Sequence, residues 1–279
     1  MALQKEVWIA GIKENPIPKQ SFLYASTDKS EYVDNNKLHL AEAGIEPGVH
    51  EDYFSGNEDE LPLATIEDIP NEVLLKTYST ERTRHRKLQD VELAYDKRTS
   101  VLNRHKISLA KNLGKRAAFA WAPAANNTHN KIANLGGGDS VIDAIIDLRA
   151  FYNKLDLYDG MNICFTADHM ARLRKEDYKL YKEVINEKTL YGFNVFEYNS
   201  SAIYTSAGVK KPWGSTKDAT DKQCTFTWVT DEVFRCFGDV EMFATLSSAA
   251  TQADEVSFAQ RALVGNIRAN SPKYLGAIL

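Results

Sequence analysis

The sequence predicts a mixed α+β fold in which an extended, acidic N-terminal part leads into one long helix, an α/β lobe and a β-rich closing part. Three observations predict it: a reversal of charge near Ser79, apolar residues at seven-residue spacing from residue 81, and alternating strand and helix patterns after residue 117. With 279 residues, of which 43% are hydrophobic, the chain can bury a core in one large domain or two intertwined ones.

The first 80 residues read as an extended arm and loop. Short apolar clusters alternate there with turn signals such as Asn15-Pro16 and Glu46-Pro47-Gly48. This part carries 6 basic and 15 acidic residues, a net charge of −9. The only helix that the pattern allows is a short one over residues 37–43.

The next segment, residues 81–116, predicts one long basic helix. It carries 11 basic and 4 acidic residues, a net charge of +7, and Gly114 is expected to end the helix. Polar residues such as His105 lie at the intermediate positions, so we expect a single helix resting on a surface rather than a coiled coil. The narrow apolar stripe consists of Leu88, Tyr95, Leu102 and Leu109.

The remaining elements follow from local patterns. Ser140 and Asp143 form a capping pair at the start of a clearly amphipathic helix. The predicted helices are 140–154 and 167–186. The predicted strands are 117–125, 161–165, 193–198, 225–229, 233–237, 242–246 and 257–267.

Composition excludes several classes of protein. No run of eighteen apolar residues occurs and the N-terminus lacks a secretory pattern, so we expect a cytoplasmic protein without a membrane span. A net charge of −4 argues against a dedicated basic reader of nucleic acid, although one basic face remains compatible with it.

No motif predicts a catalytic, cofactor or metal site. The three cysteines fit no zinc or disulfide framework and are expected to be buried thiols. The triplet Gly136-Gly137-Gly138 lacks a following Lys-Ser/Thr and precedes Asp139, which favours a hinge over a phosphate loop. His169 lies at a strand-to-helix junction where active sites do occur, but helix capping by Thr166 or Asp168 beside a half-exposed histidine explains it more simply. We therefore do not expect this protein to be an enzyme.

The basic helix calls for compensating charge. Its cations would repel one another unless acidic segments or a polyanion lie against them, and the acidic arm is the nearest candidate.

Five segments in this order resemble the major capsid proteins of tailed bacteriophages. Segments 62–88 (PLATIEDIPNEVLLKTYSTERTRHRKL) and 90–121 are similar to the far arm of an extended loop and the following spine helix. Segment 140–173 is similar to the first helix, central strand and second helix of an axial domain, and 192–204 to its next strand. Segment 254–279, which ends in Tyr-Leu-Gly-Ala-Ile-Leu, is similar to the closing strand of a peripheral domain.

The resemblance implies the Hong Kong 97-type capsid fold, which encapsulin shells share. The implied parts are an N-terminal arm (1–38), an extended loop (39–80), a spine helix with peripheral domain (81–135), an axial domain (136–225) and a return to the peripheral domain (226–279). It also implies hexamers and pentamers that tile an icosahedral head around double-stranded DNA, with a portal and with scaffolding or decoration proteins as further partners. The implied place is the virion, after assembly in the bacterial cytoplasm. Because the arm begins near Met1, no leading segment is expected to be removed.

Charge then suggests which residues meet neighbours. The residues predicted to form inter-subunit contacts are Glu58, Asp59, Glu60, Glu67, Asp68, Arg82, Arg84, Arg86 and Lys87. Those predicted to face DNA are Arg98, Arg104, Lys106 and Lys111. Two alternatives remain: an encapsulin-type nanocompartment shell, and a small-molecule enzyme with its site near Phe165–His169.

Overall fold

The structure is a computed structural model, which describes residues 21–34, 37–42, 51–52, 55, 60, 69–85, 97–245 and 254–279. Its helices are α1 (Lys97–Ala120), α2 (Val141–Asn153), α3 (Ala167–Glu176) and α4 (Tyr178–Glu187). Its strands are β1 (Thr27–Asp28), β2 (Val33–Asp34), β3 (Lys37–Glu42), β4 (Ile69–Leu74), β5 (Lys76–Ser79), β6 (Thr83–His85), β7 (Asn130–Ala133), β8 (Met161–Phe165), β9 (Thr189–Leu190), β10 (Phe193–Glu197), β11 (Ile203–Tyr204), β12 (Lys222–Gln223), β13 (Thr225–Val229), β14 (Val233–Thr245), β15 (Asp254–Asn266) and β16 (Leu275–Ile278).

A five-stranded sheet supports the long helix. Its order is β1-β14-β15-β5, with β6 also pairing with β15, and α1 packs along β15. The antiparallel pair β14–β15 forms its centre, with an irregularity between Phe237 and Val240. A separate three-stranded sheet, β2-β3-β4, rests on this one because Leu38 is fully buried against Phe234 and Leu263.

A six-stranded sheet of order β7-β16-β13-β8-β10-β9 divides the two largest hydrophobic cores. Alternate residues of β13 point into different cores, as expected of a strand in a sheet that is buried on both faces. Phe226 and Trp228 face the core shared with α1, whereas Val229 faces the core under α2, α3 and α4. The three helices α2–α4 therefore cover one face of this sheet, and the end of α1 lies on the other.

The long helix differs from its prediction at both ends. Residues 83–85 form β6 rather than helix, residues 86–96, with Leu88 and Tyr95, lie outside the described residues, and the helix continues past Gly114 to Ala120. Gly114 lies inside the helix at the point where the helix packs closely against Tyr198. An added Cβ at this position would lie 2.8 Å from the Tyr198 hydroxyl oxygen. The strand predicted at 117–125 is wrong because alanines, the best helix formers, extend the helix there.

The buried face of α1 includes the described part of the predicted stripe but is wider than it. Leu109 is buried and Leu102 half-buried, but His105, Leu113 and Ala117 are buried as well. Positions three and four residues apart share a helix face, so His105 and Leu113, each four residues from Leu109, are buried with it.

Three other elements need correction. Residues 37–42 form a strand rather than a helix, because they pair with β4 in register from Lys37–Leu74 to Glu42–Ile69. The helix predicted over 167–186 is broken at Asp177, whose carboxylate accepts from the backbone N–H of Lys179 at 2.8 Å and so starts α4. The strands predicted at 233–237 and 242–246 are one strand, β14.

The predictions for the α/β lobe are otherwise confirmed. The Ser140 hydroxyl accepts from the backbone N–H of Asp143, and Val141, Ile145 and Leu148 of α2 are fully buried. The five domain ranges stay predictions. However, β13 and β16 pair within the six-stranded sheet, although the range 226–279 placed most of β13 and all of β16 with the peripheral domain.

Candidate functional site

The strand-to-helix junction at Phe165–His169 is built as a structural joint. Thr166 caps α3, and the His169 side chain is only 5% exposed. Its Nδ1 lies 2.8 Å from the Thr225 hydroxyl, which also accepts from the backbone N–H of Thr166 at 3.1 Å. Burial, more than the nearby Arg172, lowers the pKa of His169 to about 4. This histidine is buried rather than half-exposed, and in its neutral form it links α3 to β13.

Carboxylates of this chain accept from backbone N–H groups of the glycine loop and of the first turn of α2. The Glu176 carboxylate, from the end of α3, accepts from the backbone N–H of Val141 at 3.0 and 3.1 Å and of Ile142 at 3.3 Å. Asp139 accepts from the backbone N–H of Gly136 at 2.6 Å. The positive end of the α2 dipole is thus compensated from within the chain.

The cysteines behave as predicted. Cys164, Cys224 and Cys236 are free and buried. Burial raises the pKa of Cys224 to about 12 and of Cys236 to about 11, and it raises the pKa of Cys164 well above its ordinary value. Such thiols are poor nucleophiles. Within the described ranges, no three His, Cys, Asp or Glu side chains are arranged to hold a metal ion, and no helix is long and apolar enough to cross a membrane.

The predicted contact arginines have a partner that the sequence did not reveal. Arg84 donates to Glu255 Oε1 from Nη2 at 2.7 Å and from Nε at 3.1 Å, and Arg82 donates to Glu255 Oε2 at 3.3 Å. Both arginine side chains remain largely exposed, at 56% and 78%, so these bridges contribute little to stability. Glu255 lies more than 170 residues away, and the pairing of β6 with β15 brings it there.

The other predicted contact residues are mostly outside the described ranges. Glu60 is described and exposed. The rest of that set, which falls outside, consists of Glu58, Asp59, Glu67, Asp68, Arg86 and Lys87.

The residues predicted to face DNA lie along α1. Arg104 and Lys111 are exposed on the helix and seven residues apart, so they share one face, while Lys106 is half-buried. Arg98 lies in the first turn. Arg104 and Lys111 therefore form an exposed basic surface. The helix α1 contains no acidic residue that would reduce the positive charge of this surface.

A polar groove of about 620 Å³ separates α1 from the chain between β5 and β6. His105 closes its floor, with Nε2 2.9 Å from the Thr83 hydroxyl and its ring 4.9 Å from that of Phe258. Burial lowers the pKa of His105, so it is held neutral. Arg104 and Glu81 line the groove with opposite charges.

The end of α1 is joined to the segment between β11 and β12 by a lysine and a stack of rings. The Lys210 ammonium donates to the carbonyl oxygens of Phe119 at 2.7 Å and Ala122 at 2.6 Å, which satisfies carbonyls at the helix end. The Arg116 guanidinium lies over the rings of Tyr78 at 4.9 Å and Trp213 at 4.7 Å. Sequence analysis missed this joint because its parts come from three distant segments.

Similarity of sequence does not identify relatives, since no protein-family model and no curated protein matches the chain. Comparison of structures does find proteins with a similar fold. A structure from Mycobacterium phage Che8 matches with a TM-score of 0.64 at 15% identity, covering 93% of this chain and 91% of that one. The capsid of cyanophage P-SCSP1u matches with a TM-score of 0.63 at 11% identity, covering 94% and 88%.

A third similar structure is a virus-like particle from Pyrococcus furiosus. It matches with a TM-score of 0.60 at 10% identity, covering 100% of this chain and 98% of that one. The described chain thus has the Hong Kong 97-type capsid fold, as the resemblance implied.

Proposed function

We propose that the chain is the major capsid protein of a tailed double-stranded DNA bacteriophage. The observation that carries the proposal is the length of the match: phage capsid structures align over more than nine-tenths of this chain and almost nine-tenths or more of theirs. A fold alone does not establish a function. Here the buried histidine, the buried thiols and the occupied helix terminus also leave the described residues without a recognisable reaction centre.

In this proposal the mechanism is assembly. Hexamers and pentamers of the chain close into an icosahedral head, joined by a portal and by scaffolding or decoration proteins, and the head encloses DNA in the virion after assembly in the host cytoplasm. The basic surface of Arg104 and Lys111 faces the packaged DNA and contacts its phosphates without reading sequence.

Acidic residues of the extended loop are proposed to pair with the basic residues around β6 of a neighbour. Glu60, with Glu58 and Asp59, would supply the carboxylates, and the exposed guanidinium groups of Arg82 and Arg84 would receive them. Charge reversal of residues 58–60 should weaken assembly and lower capsid stability. Asp231→Lys, an exposed acid in the turn after β13, is the matched control. Unchanged assembly and stability in the reversed variant would refute the pairing.

The test of function is electron microscopy and sedimentation of the protein produced alone. We expect shells or hexamer sheets of megadalton size. If the protein formed only a discrete small oligomer at all protein and salt concentrations, the proposal would be refuted. That result would favour the alternative of a small-molecule enzyme.

The encapsulin-type shell remains the second candidate because the particle from Pyrococcus furiosus aligns over the whole chain. The contents of native particles separate the two. A phage head contains long, nuclease-protected double-stranded DNA, whereas a nanocompartment contains a cargo protein. Particles purified from their source and analysed by absorbance ratio and mass spectrometry would decide between them.

A further inference from the structure

The polar groove between α1 and the chain from β5 to β6 lies at an edge of the five-stranded sheet. Among the described residues, β5 and β6 pair with β15 on one side and with no strand on the other. The helix α1 packs on β15, and its residues form the wall of the groove that faces β5. The groove therefore has the position that one further strand of this sheet would occupy, beside β5 and next to α1.

The free edge of β5 offers backbone hydrogen-bonding groups. The backbone N–H of Thr80 donates to the Phe258 carbonyl of β15 at 2.8 Å. Hydrogen-bonding directions alternate along an antiparallel strand, so the N–H and C=O groups of Thr77 and Ser79 point away from β15. Both residues are exposed. An exposed edge of this kind is a template for another extended segment.

The elements around the groove carry a surplus of positive charge. The helix α1 has seven Lys or Arg and no acidic residue, segment 76–85 has three and one, and β15 has one and two. Exposed cations lie at both ends of the groove: Lys76 at the start of β5, and Arg82 and Arg84 beside β6. The two arginines share a single carboxylate, that of Glu255. We therefore expect a negatively charged occupant.

One segment of this chain fits the groove in charge and length. Residues 58–68 (EDELPLATIED), which we call the acidic segment, contain five acidic residues and no cation. Between its acidic ends lie the uncharged residues 63–66, which are as many as β5 contains. The first twenty residues of the chain carry three Lys and two Glu, so they match a positive groove less well. Pairing of two β5 edges would bring the cations of one α1 against those of another.

The acidic segment of the same chain cannot reach this position. It is followed directly by β4, whose six residues span about 20 Å. This strand leads away from the groove, because Val73 packs beside Phe234 and Leu263, beyond the residues of β15 that pair with β5. Only residues 67 and 68 separate 63–66 from β4, and two residues span at most about 7 Å. The occupant must therefore come from another copy.

We propose that residues 63–66 of a second copy add a strand antiparallel to β5 in this groove. The inference rests on the proposed function and deepens it, because it adds backbone hydrogen bonds to the pairing of loop acids with β6. The antiparallel direction brings residues 58–60 to the arginines at β6 and residues 67–68 to Lys76. Main-chain hydrogen bonds then supply affinity, and the charges at both ends fix the direction.

The position of proline selects the register. With Leu63 opposite Ser79, Pro62 lies opposite Thr80. The N–H of Thr80 points to β15, so the backbone of the residue opposite it points away from β5, and the missing N–H of proline is not needed there. A shift by one residue would place Pro62 opposite Ser79, where a donor is required.

The direct test is a disulfide between copies. Leu63→Cys and Ser79→Cys are introduced in separate chains, which are mixed, assembled and oxidised. Opposite residues of this kind have Cα atoms about 5.5 Å apart, within the range that a disulfide spans. We expect covalent dimers on a non-reducing gel, and the buried native cysteines should not compete. A mixture of Leu63→Cys and Thr77→Cys chains is the matched control, since that pair lies about 7–8 Å apart and should form far fewer dimers.

Proline substitutions give an independent readout. In this register Thr65 lies opposite Thr77, so Thr65→Pro removes an N–H that donates to the other copy. Ala64→Pro makes the same change where the N–H points away from β5, and it is the matched control. Thr65→Pro should need about a fivefold higher protein concentration to assemble, which corresponds to about 1 kcal/mol, whereas Ala64→Pro should assemble close to the wild type. Equal effects of the two prolines would refute the register.

The outcomes separate this contact from the proposed function. A wild-type chain that forms no large assembly refutes the proposed function, and a disulfide between mixed chains in a smaller oligomer would still support the contact. Shells without that disulfide refute the contact and leave the proposed function standing. A chain carrying both Leu63→Cys and Ser79→Cys that closes the bond within itself would show that its own segment fills the groove, which also refutes the contact.

Discussion

Replacement of Gly276 by alanine should strongly destabilise the six-stranded sheet. Gly276 lies in β16 beneath α2, and an added Cβ would lie 2.3 Å from the Thr227 hydroxyl oxygen and 3.2 Å from that of Tyr152. These two hydroxyls are hydrogen-bonded to each other at 2.8 Å, and the Tyr152 side chain is completely buried. The methyl group therefore both overfills the core and separates a buried hydrogen-bonded pair.

The size of the effect follows from these two costs. Overpacking a well-packed core costs about 1–3 kcal/mol. Leaving a buried hydroxyl without its partner costs about 1–3 kcal/mol more. We therefore expect the free energy of unfolding of Gly276→Ala to fall by about 2–6 kcal/mol, which is a large share of the stability of an ordinary domain.

Urea unfolding followed by tryptophan fluorescence measures this loss, because Trp121 and Trp228 are buried in the adjoining core. Sedimentation should confirm that the compared proteins have the same association state. Gly137→Ala is the matched control, since nothing lies within 4 Å of the added Cβ, and it should change stability by less than about 0.5 kcal/mol. Equal unfolding midpoints for the two variants would refute the packing argument.

Three further results are expected. Because the folded pKa of His169, about 4, is below the ordinary value of 6.5, the stability that this residue contributes is complete above pH 6.5 and is lost as the pH falls toward 4. The free energy of unfolding should fall by up to about 3 kcal/mol over this range. A His169→Gln variant that lost the same free energy between pH 7 and 4.5 would contradict this prediction. A thiol reagent should label none of the three cysteines in the native protein and all three in urea; rapid native labelling would show that they are accessible. Trp228→Phe removes the hydrogen bond from Nε1 to the Ala25 carbonyl at 2.7 Å, so the free energy of unfolding should fall by about 1 kcal/mol. Proteolysis at residues 21–28 should also become faster. Unchanged cleavage would show that this hydrogen bond does not anchor the segment.

Elements that depend on residues close together in the chain could be predicted from the sequence. The helix α2 and its cap at Ser140 depend on residues within one or two turns, and so does the buried strand β8. The end of α1 could not be predicted, because Gly114 is needed for contact with Tyr198, a residue of the distant lobe. Likewise, β3 adopts a strand because β4 pairs with it more than 25 residues later.

Interactions between distant segments account for the rest. The charge reversal near Ser79 pointed to the basic region, but not to Glu255 as the partner of Arg82 and Arg84.

The position of β16 also determines when the sheet can be completed during synthesis. Residues 275–278 lie between β7 and β13, and β7 has no other strand partner among the described residues. This pairing joins residues about 145 positions apart, a separation that slows folding because a long loop must close first. A ribosome must therefore translate beyond residue 278 before the sheet can close, so a nascent chain would not present a finished lobe to other copies until then.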